Sequence, residues 1–218
     1  IWLIENGFVR VDGKITLKTS TKLTEDSKVD VEEVKVYVGR GALKLKGVLE
    51  DFRIDIEGKK CLDIGASTGG FTEVLLENRA DSVCAVDVGS MQLSEELKGD
   101  SRVKSFENTD IKNFKSEFLF DIVCVDLSFV STKELLPVIA SFSSDIIIVL
   151  FKPQFEVGKN IKRDKKGVVT DTAAIMRSMF DFELEAQRLG FDMPYKAPCK
   201  FVGKEGNQEY FYVFRVSL

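Results

Sequence analysis

Between Lys60 and Asp87 the chain runs through an apolar stretch, a glycine-rich turn, a short amphipathic stretch and a second apolar stretch. Cys61 to Ile64 and Ser82 to Asp87 have the length and apolar content of buried strands, and Phe71 to Asn78 between them has helical spacing. Strands joined through a helix pair in parallel by a right-handed crossover, so this segment constrains the fold more than any other. Further strands are expected at Phe120 to Asp126 and Asp145 to Lys152, with helices at Lys133 to Phe142 and Thr172 to Leu189. The alternation predicts a doubly wound, Rossmann-like α/β fold whose sheet is mostly parallel, with Tyr210 to Val216 as a last, antiparallel strand.

The first 33 residues read differently. Short strands at Phe8 to Val11 and Lys14 to Lys18 flank Asp12-Gly13, a strong hairpin signal. Residues 1–33 are therefore expected to form a small β-rich unit, and Val34 to Val38 an extended linker. From Gly41 to Arg53, residues Leu43, Leu45, Val48, Leu49 and Phe52 fit one helical face, opening a larger domain over residues 39–218. A chain of 218 residues supports one main core with such an appendage. It begins with Ile1 rather than Met, so a preceding segment is expected.

Several chemistries are excluded early. The chain has no histidine, which removes the Ser-His-Asp triad, the Cys-His pair and the usual zinc sites, and no metal is expected. Cys61, Cys84, Cys124 and Cys199 lack Cys-x-x-Cys spacing, and the first three lie in core-like runs, so reduced thiols in a cytoplasmic protein are expected. The longest apolar run, Ile146 to Phe151, is far below the roughly 20 residues of a membrane span. A net charge of -4 offers no global attraction for a polyanion, so any nucleic-acid contact falls to local clusters. Two exist: Arg40, Lys44 and Lys46, and the run Lys159, Lys162, Arg163, Lys165 and Lys166, which also reads as a solvated loop.

Ligands of an open parallel sheet sit beyond the carboxyl ends of its strands. Those ends carry Asp63 with the turn Gly65, Ala66, Ser67, Thr68, Gly69, Gly70 and Phe71; then Asp87, Asp110, Asp126 and Lys152-Pro153. Gly65 and Gly69 permit close backbone approach, and Asp87 stands where a carboxylate accepts from ribose hydroxyls. A dinucleotide and a methionine-derived nucleoside both meet that description. The dinucleotide fingerprint wants a third-position glycine where this chain has Ser67, and Asp63 suits a cationic amino-acid group better than a pyrophosphate. S-adenosylmethionine is the expected cofactor.

Arg40-Gly41-Ala42-Leu43-Lys44-Leu45, Asp63 to Phe71, Asp126-Leu127-Ser128-Phe129, Lys152-Pro153-Gln154-Phe155 and Gly206-Asn207-Gln208-Glu209 together resemble the hemolysin-A-like, or TlyA, family. The resemblance implies an S4-type RNA-binding domain joined to a methyltransferase domain similar to FtsJ, or RrmJ, and 2'-O-methylation of cytidine in ribosomal RNA. It makes residues 1–33 the latter part of an S4 domain and ribosomal RNA or subunits the partner. It also implies a Lys-Asp-Lys-Glu catalytic set at Lys44, Asp126, Lys152 and Glu209, while Gly39 departs from the serine of many relatives. With histidine absent, Lys152 is the best base. A lysine desolvated near a second cation yields its proton more readily, whereas neighbouring carboxylates hold it, and the sequence leaves both a base and an orienting charge open.

Two rival readings come from other classes. A pore-forming cytolysin, which the family's historical name suggests, would need a membrane span or a strongly amphipathic basic helix, and the chain offers neither. An RNA-binding protein with an inactive methyltransferase domain conflicts with the intact glycine turn and four-residue set.

Overall fold

The computed structural model describes residues 2–5, 7–33, 35–203 and 205–216. A short helix, α1 (Trp2–Glu5), leads into β1 (Val9–Val11) and β2 (Lys14–Ile15). Asp12 and Gly13 both take positive φ, 51° and 77°, the conformation that an Asp-Gly hairpin turn demands. The second strand is shorter than expected, and a third, β3 (Val29–Val31), pairs antiparallel with the other side of β1. β3 has one face's worth of apolar residues and stays exposed, so periodicity gave no sign of it.

Residues 35–38 have no regular structure but are pinned to the helix that later covers the sheet; Val34 lies outside the described residues. Tyr37 is buried and donates to Glu77, Val38 N–H donates to Glu73, and Lys35 pairs with Glu73 at 3.1 Å. Next come α2 (Gly41–Asp51), β4 (Lys60–Ile64), α3 (Gly70–Glu77), β5 (Ser82–Val86), α4 (Glu95–Lys98) and β6 (Val103–Phe106). The second half supplies β7 (Phe120–Val125), α5 (Thr132–Ala140), β8 (Ser143–Phe151), α6 (Pro153–Glu156), α7 (Thr172–Arg188), β9 (Phe191–Pro198) and β10 (Tyr210–Val216).

Seven strands form one sheet in the order β6-β5-β4-β7-β8-β10-β9. The first five are parallel, and β10 runs antiparallel to both β8 and β9. Alternate strand residues face opposite layers. Cys61, Cys124, Ile148 and Leu150 pack with α2 and α3 residues such as Leu45 and Leu75, while Leu62, Val123, Ile147 and Phe151 pack with Leu136 of α5 and Phe182 of α7. All four cysteines are free and buried in these layers. Strand order reverses between β4 and β7, so the crevice of the fold opens where Ile64 and Val125 end.

Sequence patterning missed β6 and β9. Both are edge strands: β6 is half exposed, and β9 carries Pro194 and Pro198, which an edge tolerates because one side of its backbone is unpaired.

Phe182 is fully buried, with ring centroids 4.9 Å from Phe151, 5.1 Å from Tyr212 and 5.7 Å from Phe214. It fastens α7 to the antiparallel half of the sheet. Phe182→Ala is expected to cost about 3–5 kcal/mol in urea unfolding; a loss under about 1 kcal/mol would mean that the layer collapses around the cavity.

Candidate active site

The glycine turn is shaped by contacts that side chains would block. Gly65 has φ +81°, and a Cβ there would lie 2.5 Å from the backbone oxygen of Asp126 at the end of β7. A Cβ on Gly70 would lie 2.8 Å from the amide nitrogen of Ala42, so this glycine lets α3 start directly against α2. Ser67, at φ 48°, turns its N–H toward Asp87 Oδ2 at 2.8 Å, while Asp87 Oδ1 accepts from Gly89 N–H at 2.7 Å. Asp87 is thereby fixed, with lone pairs left on both oxygens for a ligand. A Cβ on Gly39 would meet Thr68 Oγ1 at 2.5 Å, so a serine there would require Thr68 to move.

Asp63 is fully buried at the end of β4. Its Oδ2 accepts from the backbone N–H and hydroxyl of Thr72, at 2.9 and 2.7 Å, and its Oδ1 has no hydrogen-bond partner. Burial pushes its pKa up to about 7; Thr72 opposes this, and the carboxylates of Asp126 and Asp87 reinforce it. A buried carboxylate with one idle oxygen invites a cationic ligand group.

Two cavities meet over this turn and share Gly65, Ser67 and Asp126. The first, of 720 Å³, is lined by Asp87, Asp110, Leu127, Ser128 and Phe129, among others. The second, of 690 Å³, is lined by Asp63, Ala66, Thr68, Gly70, Phe71, Arg40 and Lys44. Gly69 stands behind the turn instead, where a Cβ would collide with Leu97. Asp110 is exposed at the rim of the first cavity, with Oδ1 accepting from Lys112 N–H at 2.9 Å.

Two lysine–carboxylate pairs, Lys44–Glu209 buried and Lys152–Asp126 with a part-exposed carboxylate, stand beside these cavities. Lys152 Nζ lies 2.5 Å from Asp126 Oδ1 and donates to Ser128 Oγ at 2.8 Å. Lys44 Nζ lies 2.6 Å from Glu209 Oε2. Gln154, two residues past Lys152, donates to the other oxygen of Glu209 at 3.3 Å and ties the pairs together. Lys44 comes from α2, Asp126 from the end of β7, Lys152 from the end of β8, and Glu209 directly precedes β10. All four expected catalytic residues thus come to one place. Ser128 and Gln154 each sit two residues from an expected catalytic residue, but nothing in their spacing assigned them a partner.

The basic residues divide. Arg40 lines the second cavity and donates to the carbonyl of Val202 at 3.2 Å. Lys46 turns away from the cavities, its Nζ 2.7 Å from the Tyr37 hydroxyl. Arg163 donates to four carbonyls, those of Gln154, Gly158, Lys159 and Ile161, and so braces its own loop from within. Lys159, Lys162, Lys165 and Lys166 are exposed on that loop. Buried Asn207 accepts from Val169 N–H at 3.0 Å and joins the loop's far end to the segment carrying Glu209.

Comparison with known proteins agrees with this geometry. The family model of FtsJ-like methyltransferases matches residues 37–216. A 23S rRNA (cytidine-2'-O)-methyltransferase TlyA of Campylobacter jejuni is 48% identical over 88% of this chain and 76% of its own. A 16S/23S rRNA (cytidine-2'-O)-methyltransferase TlyA of Mycobacterium tuberculosis is 41% identical over 98% of this chain and 82% of its own. A solved structure described as a hemolysin from Streptococcus thermophilus superposes with a TM-score of 0.80 at 32% identity, covering 98% of this chain and 80% of the other. The glycine turn, the strand-order reversal above it, the paired lysines and carboxylates and these likenesses have one source: the chain belongs to the FtsJ-like methyltransferase family.

Proposed function

We propose that this chain binds S-adenosylmethionine across the two cavities and methylates the 2'-oxygen of a cytidine ribose in ribosomal RNA, in the cytoplasm. The observation that carries the proposal is the pair of lysine–carboxylate couples beside the cofactor crevice. The relatives' activity supplies the substrate class. The residues fit the cofactor: Asp63 offers its idle buried oxygen to a cationic amino-acid end, and Asp87 its fixed carboxylate to ribose hydroxyls. Asp110 stands at the rim beside them.

When bound, the cofactor would supply a methyl group on a cationic sulfur for transfer to the ribose oxygen. The protein's part is to place the hydroxyl, exclude water and take its proton. Lys152, held by Asp126 and Ser128, is the group placed to take that proton. Lys44, paired with Glu209, adds positive charge for the RNA backbone near the reacting ribose. The exposed lysines at 159, 162, 165 and 166 form the outer phosphate contact, and residues 1–33 a further RNA-binding unit of S4 type.

The pH dependence of cofactor binding tests the role of Asp63. Its folded pKa, about 7 against an ordinary 3.8, is raised, so the group favours folding below the lower value and loses that contribution as pH rises through about 7. A cation bound to the ionised form reverses the preference. Affinity for S-adenosylmethionine, by calorimetry, is therefore expected to be about tenfold weaker at pH 6 than at pH 8, a difference that Asp63→Asn abolishes. An unchanged slope in that variant would remove Asp63 from the cofactor site. The substrate is tested by transfer of a labelled methyl group to ribosomal subunits that lack the modification.

No helix among the described residues is long and apolar enough to cross a membrane.

A further inference from the structure

A lysine nitrogen has three positions besides its bond to Cε. On Lys152 one is donated to Ser128 Oγ, 2.8 Å away, while Asp126 Oδ1 stands 2.5 Å off as an ion-pair partner outside hydrogen-bond geometry. We propose that Ser128 is a positioning residue for methyl transfer: by accepting one N–H of Lys152, it fixes the direction in which Nζ presents its remaining positions to the target hydroxyl. The proposal rests on Lys152 being the group that handles the target hydroxyl.

With the ion pair to Asp126 alone, which is not a directed hydrogen bond, the Nζ hydrogens would turn freely about the Cε–Nζ bond. The directed hydrogen bond to Ser128 stops that rotation. Ser128 lines the larger cavity, so the constraint is applied at the cavity wall.

The contact is built by its surroundings. The loop from Asp126 to Ser131 carries Ser128, and the segment Lys152 to Glu156 carries its donor; three further contacts clamp the two together. Ser131 Oγ donates to Glu156 Oε2 at 2.7 Å, and Thr132 N–H donates to Glu156 Oε1 at 2.6 Å. The Phe129 ring packs against Phe155 with centroids 5.0 Å apart. Phe129 takes φ +67°, a left-handed conformation uncommon for a bulky residue, and apart from the Phe155 contact its side chain is exposed. Acceptor and donor therefore move as one body.

Steady-state methyl transfer to unmodified ribosomal subunits, measured for wild type, Ser128→Ala, Ser128→Thr and Lys152→Ala, tests the proposal. Ser128→Ala is expected to lower kcat by about 10- to 100-fold, the scale of losing reactant alignment, with KM for cofactor and RNA and the Tm unchanged. Ser128→Thr keeps the hydroxyl and is expected to recover most of that loss. Wild-type kcat in Ser128→Ala would overturn the proposal, and so would a loss confined to KM for RNA, which would make Ser128 a substrate contact. Lys152→Ala separates the failures. If it is fully active, the reading of Lys152 falls; if it is inactive while Ser128→Ala is normal, only the role of Ser128 does.

Discussion

Replacing Lys152 with alanine is expected to lower kcat for methyl transfer by about 10²- to 10⁴-fold, the range that a positioned proton acceptor supplies. The side chain is buried and stands 2.5 Å from Asp126, which lines both cavities. Its loss leaves Asp126 Oδ1 without its cation but opens room beside that buried oxygen for water, and the rest of the side chain is already part-exposed, so the fold survives. Cofactor affinity should stay within a few-fold of wild type, because none of the contacts fixing Asp63, Asp87 or the glycine turn runs through Lys152. Lys152→Arg sharpens the result. A guanidinium can still pair with Asp126 but does not give up a proton in proteins, so it should be as inactive as alanine. An active arginine variant would instead make residue 152 an orienting charge. Rates under saturating cofactor, with binding followed separately by calorimetry, distinguish these outcomes.

The second large effect is expected from a single methyl group. Gly65→Ala places a Cβ 2.5 Å from the backbone oxygen and 3.0 Å from the carbonyl carbon of Asp126, at a residue whose φ is +81°. Neither problem has a side-chain remedy. The obstructing atoms are main chain, and they belong to the stretch where Asp126 N–H donates to the Ile64 carbonyl at 2.9 Å, the last link between β4 and β7. Relief requires parting the two strands at the point where the crevice is formed, or straightening a left-handed turn. We expect a loss of about 2–4 kcal/mol in stability, from strain and overpacking together. We also expect cofactor affinity to fall at least about 100-fold, since the cradle and Asp126 are displaced together. Thermal unfolding and calorimetry with S-adenosylmethionine measure both. Wild-type affinity in Gly65→Ala would mean that the ligand does not depend on this turn.

Much of the fold was legible in the sequence because the buried parallel strands announce themselves. Cys61 to Ile64, Phe120 to Val125 and Ile146 to Phe151 are continuous apolar runs, as strands covered on both faces must be. The final strand matched its expected span, Tyr210 to Val216, and the helices at α2, α5 and α7 fell within two residues of their expected ends. What escaped lies at the edges. β6 and β9 face water on one side, so they have no apolar run to betray them, and the four-residue helix α6 is too short for periodicity.

The site was legible by a different route. Carboxylates and a lysine at strand ends pointed to the crevice, since a sheet has no structural need for them there. Which basic residues face it was not legible. Lys44 and Lys46 are two residues apart on α2, hence on different helix faces, and tertiary packing alone sends the first to Glu209 and the second to Tyr37. Arg163 reads as one more cation in a basic loop, yet its two terminal nitrogens are spent on the carbonyls of Gln154 in α6 and of Gly158, Lys159 and Ile161 in the loop. The hydrogen bond from Lys152 to Ser128 spans 24 residues, and only the meeting of β7 and β8 creates it.

The most direct test of the proposed activity is transfer of a labelled methyl group from S-adenosylmethionine to ribosomal subunits that lack the modification, with the labelled nucleotide identified after nuclease digestion. Label on a cytidine ribose 2'-oxygen, absent with Lys152→Ala, is the expected result. Tight cofactor binding with no transfer to either subunit, or label on a base instead of a ribose, would contradict it.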